Sequence, residues 1–544
     1  RRLRAGPAGA ERLTLGVAME EVEHLDVLIV GAGLSGIAAA CHLQRRCPEH
    51  RYAILEGREA LGGTWDLFRY PGVRSDSDMY TLGYAFRPWR EPRAIADGAA
   101  ILGYLRDTAR EHGVERHIRT GHRVVAASWS TPQARWTVEV RCGDATRRLS
   151  CDFLFVCSGY YRYEAGHQPD FAGLADYRGR VIHPQHWPAE LDWTGQRIVV
   201  IGSGATAMTL VPALAERAAQ VTLLQRSPTW VLALPAVDPL AERLHGRLPA
   251  RWVFSIMRWK AVLLGLSFFR LCRRQPERAS RMLLSGVRRA LGPLADRLAD
   301  FTPRYKPWTQ RLCLLPDGDL FRALRAGRAE VVTDEIERFT AGGLKLRSGR
   351  ELDADLVVTA TGLELQVLGG VALEVDGRRV DPATTLLYKG VMHSDVPNLA
   401  SCTGYTNASW TLKAELSCEY VCRLLKYMRR HGHRRCVPRR DDATIEPRPW
   451  IDFSSGYVRR AWARLPKQGS RPPWTLHQNY LRDLLLLRHG RLDDGVLRFE
   501  GSRGARTDPA LPAASDVASA GCPPEPGPAR EELRACPGRR GGSS

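Results

Sequence analysis

A short apolar run that enters a glycine-rich loop and then a helical stretch occurs twice, at residues 26–46 and again at 197–218. A third apolar run, 354–359, leads into Ala360-Thr361-Gly362. Short strands alternating with helices imply parallel sheets, so these three observations predict an α/β fold with two Rossmann-like dinucleotide-binding domains. The chain has 544 residues, 44% of them hydrophobic, which is ample for two or three domains. With 25% charged residues and a mean hydropathy of -0.28, wholesale disorder and a polytopic membrane protein are both excluded.

Taken in order, residues 1–18 lack periodicity and show no apolar core followed by a cleavage site. They are expected to be a non-native or disordered leader ahead of Met19. Residues 19–190 are assigned to the first part of domain one: strand 26–30, the loop Gly31-Ala32-Gly33-Leu34-Ser35-Gly36, helix 37–46, and strand 51–55 ending at Glu56. Such glycines let backbone approach a pyrophosphate, and the helix N-terminus offers free N–H groups and a positive dipole. Residues 191–350 repeat this grammar as domain two, with strand 197–201, Gly202-Ser203-Gly204-Ala205-Thr206-Ala207, a helix to about 218 and strand 221–225. Within them, residues 240–301 read as a helical insertion. Residues 351–502 complete domain one, and 503–544, rich in Pro, Gly, Ala and Ser, are expected to be a disordered tail.

The strand ends distinguish the two nucleotides. Glu56, twenty residues after Gly36, can accept from a ribose 2′-OH and would repel a 2′-phosphate, so the first site wants FAD or NAD. The corresponding strand of the second site ends in Gln225-Arg226-Ser227, a cation with a hydroxyl and no acid, which suits the 2′-phosphate of NADP. One site of each kind implies electron passage from NADPH to a flavin.

The net charge is +20, but only seven of the 79 basic residues are lysine. So strong an arginine bias, spread along the chain, reflects genome composition, and no nucleic-acid partner is expected. One stretch stands apart: residues 251–290 hold ten bases against the single acid Glu277. Arg258 and Lys260 interrupt its apolar run 252–271, so a standard bilayer-spanning helix is not expected there. The run is either a helical insertion with one face on the domain or a membrane-surface patch. The thirteen cysteines include no C-x-x-C, so neither a metal site nor a disulfide framework is expected. Buried thiols in a reducing cytoplasm fit better, with peripheral attachment to an anionic membrane as an added expectation.

The segment Gly62-Gly63-Thr64-Trp65-Asp66-Leu67-Phe68-Arg69-Tyr70-Pro71-Gly72-Val73-Arg74-Ser75-Asp76 and the spaced set Tyr177, Gly179, His183, Trp187, Pro188 resemble two signatures of class B flavoprotein monooxygenases of the Baeyer–Villiger type. Tyr177 stands where Phe is usual. The likeness covers roughly residues 23–500 and is similar above all to the mycobacterial FAD-containing branch that activates thioamide prodrugs. It implies FAD held tightly, NADPH as reductant and O2 as co-substrate. Ketones would go to esters or lactones through a flavin C4a-peroxide, and thioethers or thioamides to S-oxides. A flavin monooxygenase confined to sulfur and nitrogen is the alternative, whereas a disulfide reductase would need a cysteine pair shortly after Glu56, where there is none.

Carried over by residue, the resemblance implies that Gly31, Gly33, Ser35 and Gly36 hold the FAD pyrophosphate and Glu56 its ribose. Thr64, Trp65, Asp66, Leu67 and Asp76 would line the flavin, with Val124 on the adenine side. Arg74, Ser75 and Asp76 would meet the nicotinamide end of NADP. Gly202, Ser203, Gly204, Ala205, Thr206, Ala207, Met208, Arg226 and Ser227 would hold its phosphates. Arg311 would stabilise the peroxide, Asp76 would orient Arg311, and His183 would couple the domains conformationally. Many relatives have Lys before that arginine; Gln310 here leaves Arg226 to supply most of the preference for NADPH.

Overall fold

The computed structural model describes residues 22–502, so the expected leader and tail lie outside the described residues. Strand β1 (His24–Val30) runs into the first glycine loop and helix α1 (Leu34–Arg46), and β2 (Tyr52–Leu55) follows. All four residues of β2 are buried, as are the last four of β1, which is the pattern of strands covered on both faces. A four-residue helix, α2 (Thr64–Leu67), precedes an antiparallel meander whose last strand, β3 (Ala145–Val156), returns beside β1.

The second unit repeats the plan with β4 (Arg197–Ile201), α3 (Ala205–Leu214) and β5 (Gln220–Gln225). Helix α3 stops at Leu214, short of the expected 218, because the N–H groups of Arg217 and Ala218 both turn back onto the Leu214 carbonyl. The insertion then supplies α4 (Ala250–Arg274) and α5 (Pro276–Leu291), before β6 (Ala329–Thr333) and β7 (Leu356–Thr359) complete the second sheet. Finally β8 (Leu399–Ser401) pairs in parallel with β3, and α6 (Trp410–Arg430) packs against α1.

Two sheets result, the first mixed around a parallel core and the second parallel. The first has the order β8-β3-β1-β2, and the meander and the strands Ala372–Val375 and Arg378–Val380 extend it. The second has the order β6-β5-β4-β7 with Arg180–Ile182 at its edge. Register aligns Val30 with Leu55 and Val156, and Val156 with Ser401, so these strands of the first sheet end level. Level carboxyl ends open the crevice in which α/β sheets bind ligands. Ile201 of β4 is likewise aligned with Leu224 of β5 and Thr359 of β7.

Ten of the eleven described cysteines are buried, and no cluster of ligating side chains able to hold a metal occurs among the described residues.

Candidate active site

A cavity of about 390 Å³ lies at the carboxyl end of the first sheet and takes in residues of both units. Gly31 and Gly33, Glu56, and Cys157 to Gly159 reach it from the ends of β1, β2 and β3; Ala205, Thr206 and Arg311 reach it from the second unit. The glycines do three different jobs. Gly31 has φ +99° and a Cβ there would press on the Cys157 carbonyl at 3.0 Å. At Gly36 a Cβ would stand 1.8 Å from the Gly31 carbonyl oxygen, so α1 can approach β1 this closely only without a side chain. Gly33 has an ordinary φ of -80° and its Cβ would meet nothing nearer than Gly63 Cα at 3.6 Å. The protein does not itself require glycine there. The bare backbone at the start of α1 is a cradle that a Cβ would fill, which is what a pyrophosphate needs.

Glu56 is buried at the end of β2, where its carboxylate accepts from the Ala32 N–H at 2.7 Å and from the Arg58 N–H at 3.0 Å. Burial raises its pKa, and those two donors pull it back. Ser35 Oγ accepts from Trp410 Nε1 at 2.9 Å, which ties the loop to the N-terminus of α6. Val124, Thr64 and Trp65 also line the cavity. Asp66 and Leu67 do not: Asp66 is buried on the other side of α2, and its carboxylate is occupied by Arg58 at 2.6 Å, Arg69 at 3.3 Å and Arg106 at 3.6 Å. Asp66 is therefore an anchor for three arginines.

The second loop has the same logic. Gly202 has φ +134° with Ala360 O 2.4 Å from its Cβ position, and Gly204 has nothing within 4 Å. Ser203 is partly exposed beside it, while Ala205 and Thr206 reach the cavity. Ala207 and Met208 are 0% and 2% exposed and pack the helix into the core under the sheet. Arg226 and Ser227 are exposed at the end of β5, and Arg226 has no ion-pair partner among the described residues.

Inside the cavity Arg311 Nε meets Asp76 Oδ2 at 2.6 Å. Burial works against the guanidinium's charge, but Asp76 together with Tyr160, Tyr457 and Tyr161 outweighs it and holds the arginine above its ordinary pKa. Arg74 lines the same wall, paired with Asp319, and its second amino group is buried without a partner. Ser75 donates to the Ser77 carbonyl at 2.6 Å, fixing the turn that carries Asp76. His183 stands away from this pair. Its Nδ1 accepts from the Gln185 N–H at 3.2 Å, so Nε2 carries the proton and donates to the Gly362 carbonyl at 3.2 Å. Burial lowers its pKa, which keeps the ring neutral. With both nitrogens occupied, it links the ends of two strands of the second sheet. Tyr177 uses the hydroxyl that Phe would lack, donating to the Ala354 carbonyl at 2.9 Å.

Five aromatic residues at the cavity, Tyr160, Tyr161, Tyr163, Tyr405 and Trp410, escaped the sequence reading. Tyr160 stacks on Trp410 with ring centres 5.0 Å apart and shares a 3.3 Å hydroxyl contact with Tyr161. Tyr163 OH lies 3.3 Å from Thr64 Oγ, and burial pushes its pKa up to about 12. The signal for the first three was a third strand ending in Cys157-Ser158-Gly159 before Tyr160-Tyr161-Arg162-Tyr163. Tyr405 and Trp410 lie within residues 404–413, a stretch that shares in the family resemblance but was assigned no role.

The chain is similar to known proteins over most of its length. A flavin-binding monooxygenase-like family model matches residues 90–238, and an NAD(P)-binding Rossmann-like domain matches 29–91. The FAD-containing monooxygenase EthA of Mycobacterium tuberculosis is 56% identical over 478 residues, covering 88% of this chain and 98% of its own. The enzyme of the same name from Mycolicibacterium smegmatis is 50% identical over 484 residues, covering 89% and 98%. Among solved structures, an oxidized steroid monooxygenase bound to NADP superimposes with a TM-score of 0.65 at 23% identity, over 77% of this chain and 88% of that one.

Proposed function

Because the chain belongs to the FAD-containing monooxygenases, we propose that it is an NADPH- and O2-consuming enzyme of the Baeyer–Villiger type. It converts ketones to esters or lactones and also oxygenates thioethers and thioamides. The observation that carries this reading is the Arg311–Asp76 pair inside the cavity that both glycine loops border. Bound FAD supplies the electron transfer and the activation of O2. The first loop and Glu56 would hold it, and the second loop with Arg226 and Ser227 would hold NADPH.

The chain's own contribution to the chemistry is a fixed positive charge. Attack on a carbonyl places negative charge on the carbonyl oxygen, and an oriented cation in a water-poor site stabilises that charge without reorganising. Arginine suits the task because it does not lose its proton. Asp76 holds the guanidinium in place through Nε and leaves the terminal amino groups for the reacting oxygens. The tyrosine and tryptophan rings, Tyr160 and Trp410, form an apolar wall that limits water beside it. We place the enzyme in the cytoplasm.

The test is NADPH consumption with a panel of linear ketones, cyclic ketones, thioethers and thioamides, with products identified by mass. Esters or lactones from ketones are expected. S-oxides alone, with every ketone left intact, would reduce the enzyme to a sulfur-oxygenating flavin monooxygenase.

A further inference from the structure

Helix α4 is, among the described residues, the one helix long and apolar enough to cross a membrane by length and composition. Its contacts forbid that. Arg258 is buried, and its guanidinium donates to the carbonyls of Tyr80 at 2.9 Å and Gly83 at 2.7 Å and pairs with Glu415 of α6 at 2.7 Å. Lys260 pairs with Asp238 at 2.6 Å. Val253, Phe254, Met257, Val262 and Leu266 are buried in the core of the first unit. To span a bilayer the helix would have to abandon all of these, leaving Glu415 inside the fold without its arginine.

The other face of α4 has the opposite character. Trp252, Ile256, Trp259 and Leu263, spaced i, i+4, i+7 and i+11, are 56%, 40%, 45% and 50% exposed. That spacing puts them on one stripe. Leu248, just before the helix, and Leu264 are exposed as well. Beyond the apolar stripe the charge changes: Arg270, Arg273 and Arg274 close α4, and Arg278, Arg281, Arg288 and Arg289 follow on α5, all exposed. We propose that this face docks on an anionic lipid surface, with α4 lying in the plane of the interface, its tryptophans and leucines in the headgroup–acyl boundary and the arginines against the headgroups. The combination of an apolar, Trp-bearing stripe with an arginine flank is the amphipathy of interfacial helices. Charge selects the occupant. A second copy of this face would bring two arginine clusters together, whereas anionic lipid neutralises one. The inference goes beyond the proposed reaction and does not depend on it.

The experiment uses the FAD-loaded full chain and sedimentation with vesicles of phosphatidylcholine alone or mixed with phosphatidylglycerol, which supplies the anionic surface. Binding is expected only to the anionic vesicles, reversed by high salt, with tryptophan fluorescence quenched by brominated acyl chains. Trp252→Ser with Trp259→Ser should lower the bound fraction at least tenfold and abolish the quenching, and Arg270→Glu with Arg274→Glu should abolish the anionic preference. Neither pair touches the cavity, so flavin content and NADPH oxidation should be unchanged, which separates this outcome from failure of the reaction assignment. The proposal is overturned by absence of binding at low salt, by binding that the tryptophan variant retains, or by membrane-held protein that high salt and alkaline carbonate cannot release. A dimer lost in the tryptophan variant without vesicle binding would assign the face to a second copy, and retention by tRNA instead of vesicles would assign the arginines to nucleic acid; either also overturns it.

Discussion

Arg311 and Asp76 lie 235 positions apart in sequence and meet at 2.6 Å, so each can be tested alone. Arg311→Ala should lower ester formation by 10² to 10³, about 3–4 kcal/mol of barrier, while NADPH is still oxidised and hydrogen peroxide accumulates. Arg311→Lys should rescue poorly, since a point charge does not reproduce the fork. Product yield per NADPH consumed, set against peroxide released, measures both. Arg226 makes no ion pair among the described residues, so its charge is uncommitted. Arg226→Ala should raise KM for NADPH by about 1.5–3 kcal/mol equivalent, the range for a charged hydrogen bond, and leave KM for NADH unchanged; equal losses would refute the nucleotide assignment. A third residue speaks to pH. His393 is buried between Thr385 Oγ and Ser401 Oγ, and burial lowers its pKa from 6.5 to about 4. The unfolded chain then binds the proton more tightly, so this stability is present above pH 6.5 and fades as pH falls toward 4. His393→Asn should flatten the fall in unfolding free energy between pH 7 and 4.5 by about 2 kcal/mol, read from urea titrations at the two pH values.

At the level of the element, the first glycine loop separates folding from binding within six residues. Gly36→Ala would force a methyl into the Gly31 carbonyl at 1.8 Å and should cost several kcal/mol, yielding aggregated or flavin-free protein. Gly33→Ala, by contrast, meets only ordinary contacts; melting of the flavin-free protein should be unchanged within about 0.5 kcal/mol while bound flavin per chain falls. Loss of fold in both variants would remove the distinction. These loops were legible in the sequence because their spacing is local: each strand, turn and helix falls within about twenty residues. The helical insertion was legible by composition, but which of its charges were buried was not. Arg258 reads like any other arginine of a basic helix until Glu415 arrives from α6. The same applies to Asp66, whose place in a cofactor signature hid its pairing with Arg58, Arg69 and Arg106, and to Trp410, which reaches Ser35 across 375 positions. Motif spacing reports the backbone; partners brought by topology are invisible to it.

Across the whole molecule, the two sheets differ in how the chain builds them. Every strand of the second sheet falls between Arg180 and Thr359, whereas the first begins at His24 and is closed only when β8, at Leu399–Ser401, pairs with β3. During synthesis the chain would therefore expose the open edge of β3 until some 245 further residues have emerged, a long wait for a parallel pairing of high contact order. Ribosome-bound chains halted just before Leu399, with Thr359 clear of the exit tunnel, should already protect the second sheet from protease, while the strands before residue 160 remain cleavable and carry no flavin. Protection of the first sheet at that length would refute this order. The last-made segment also carries Trp410, so the flavin loop gains its final support when about three-quarters of the polypeptide exists. Birth order, rather than stability, then decides which half of the protein depends on chaperones.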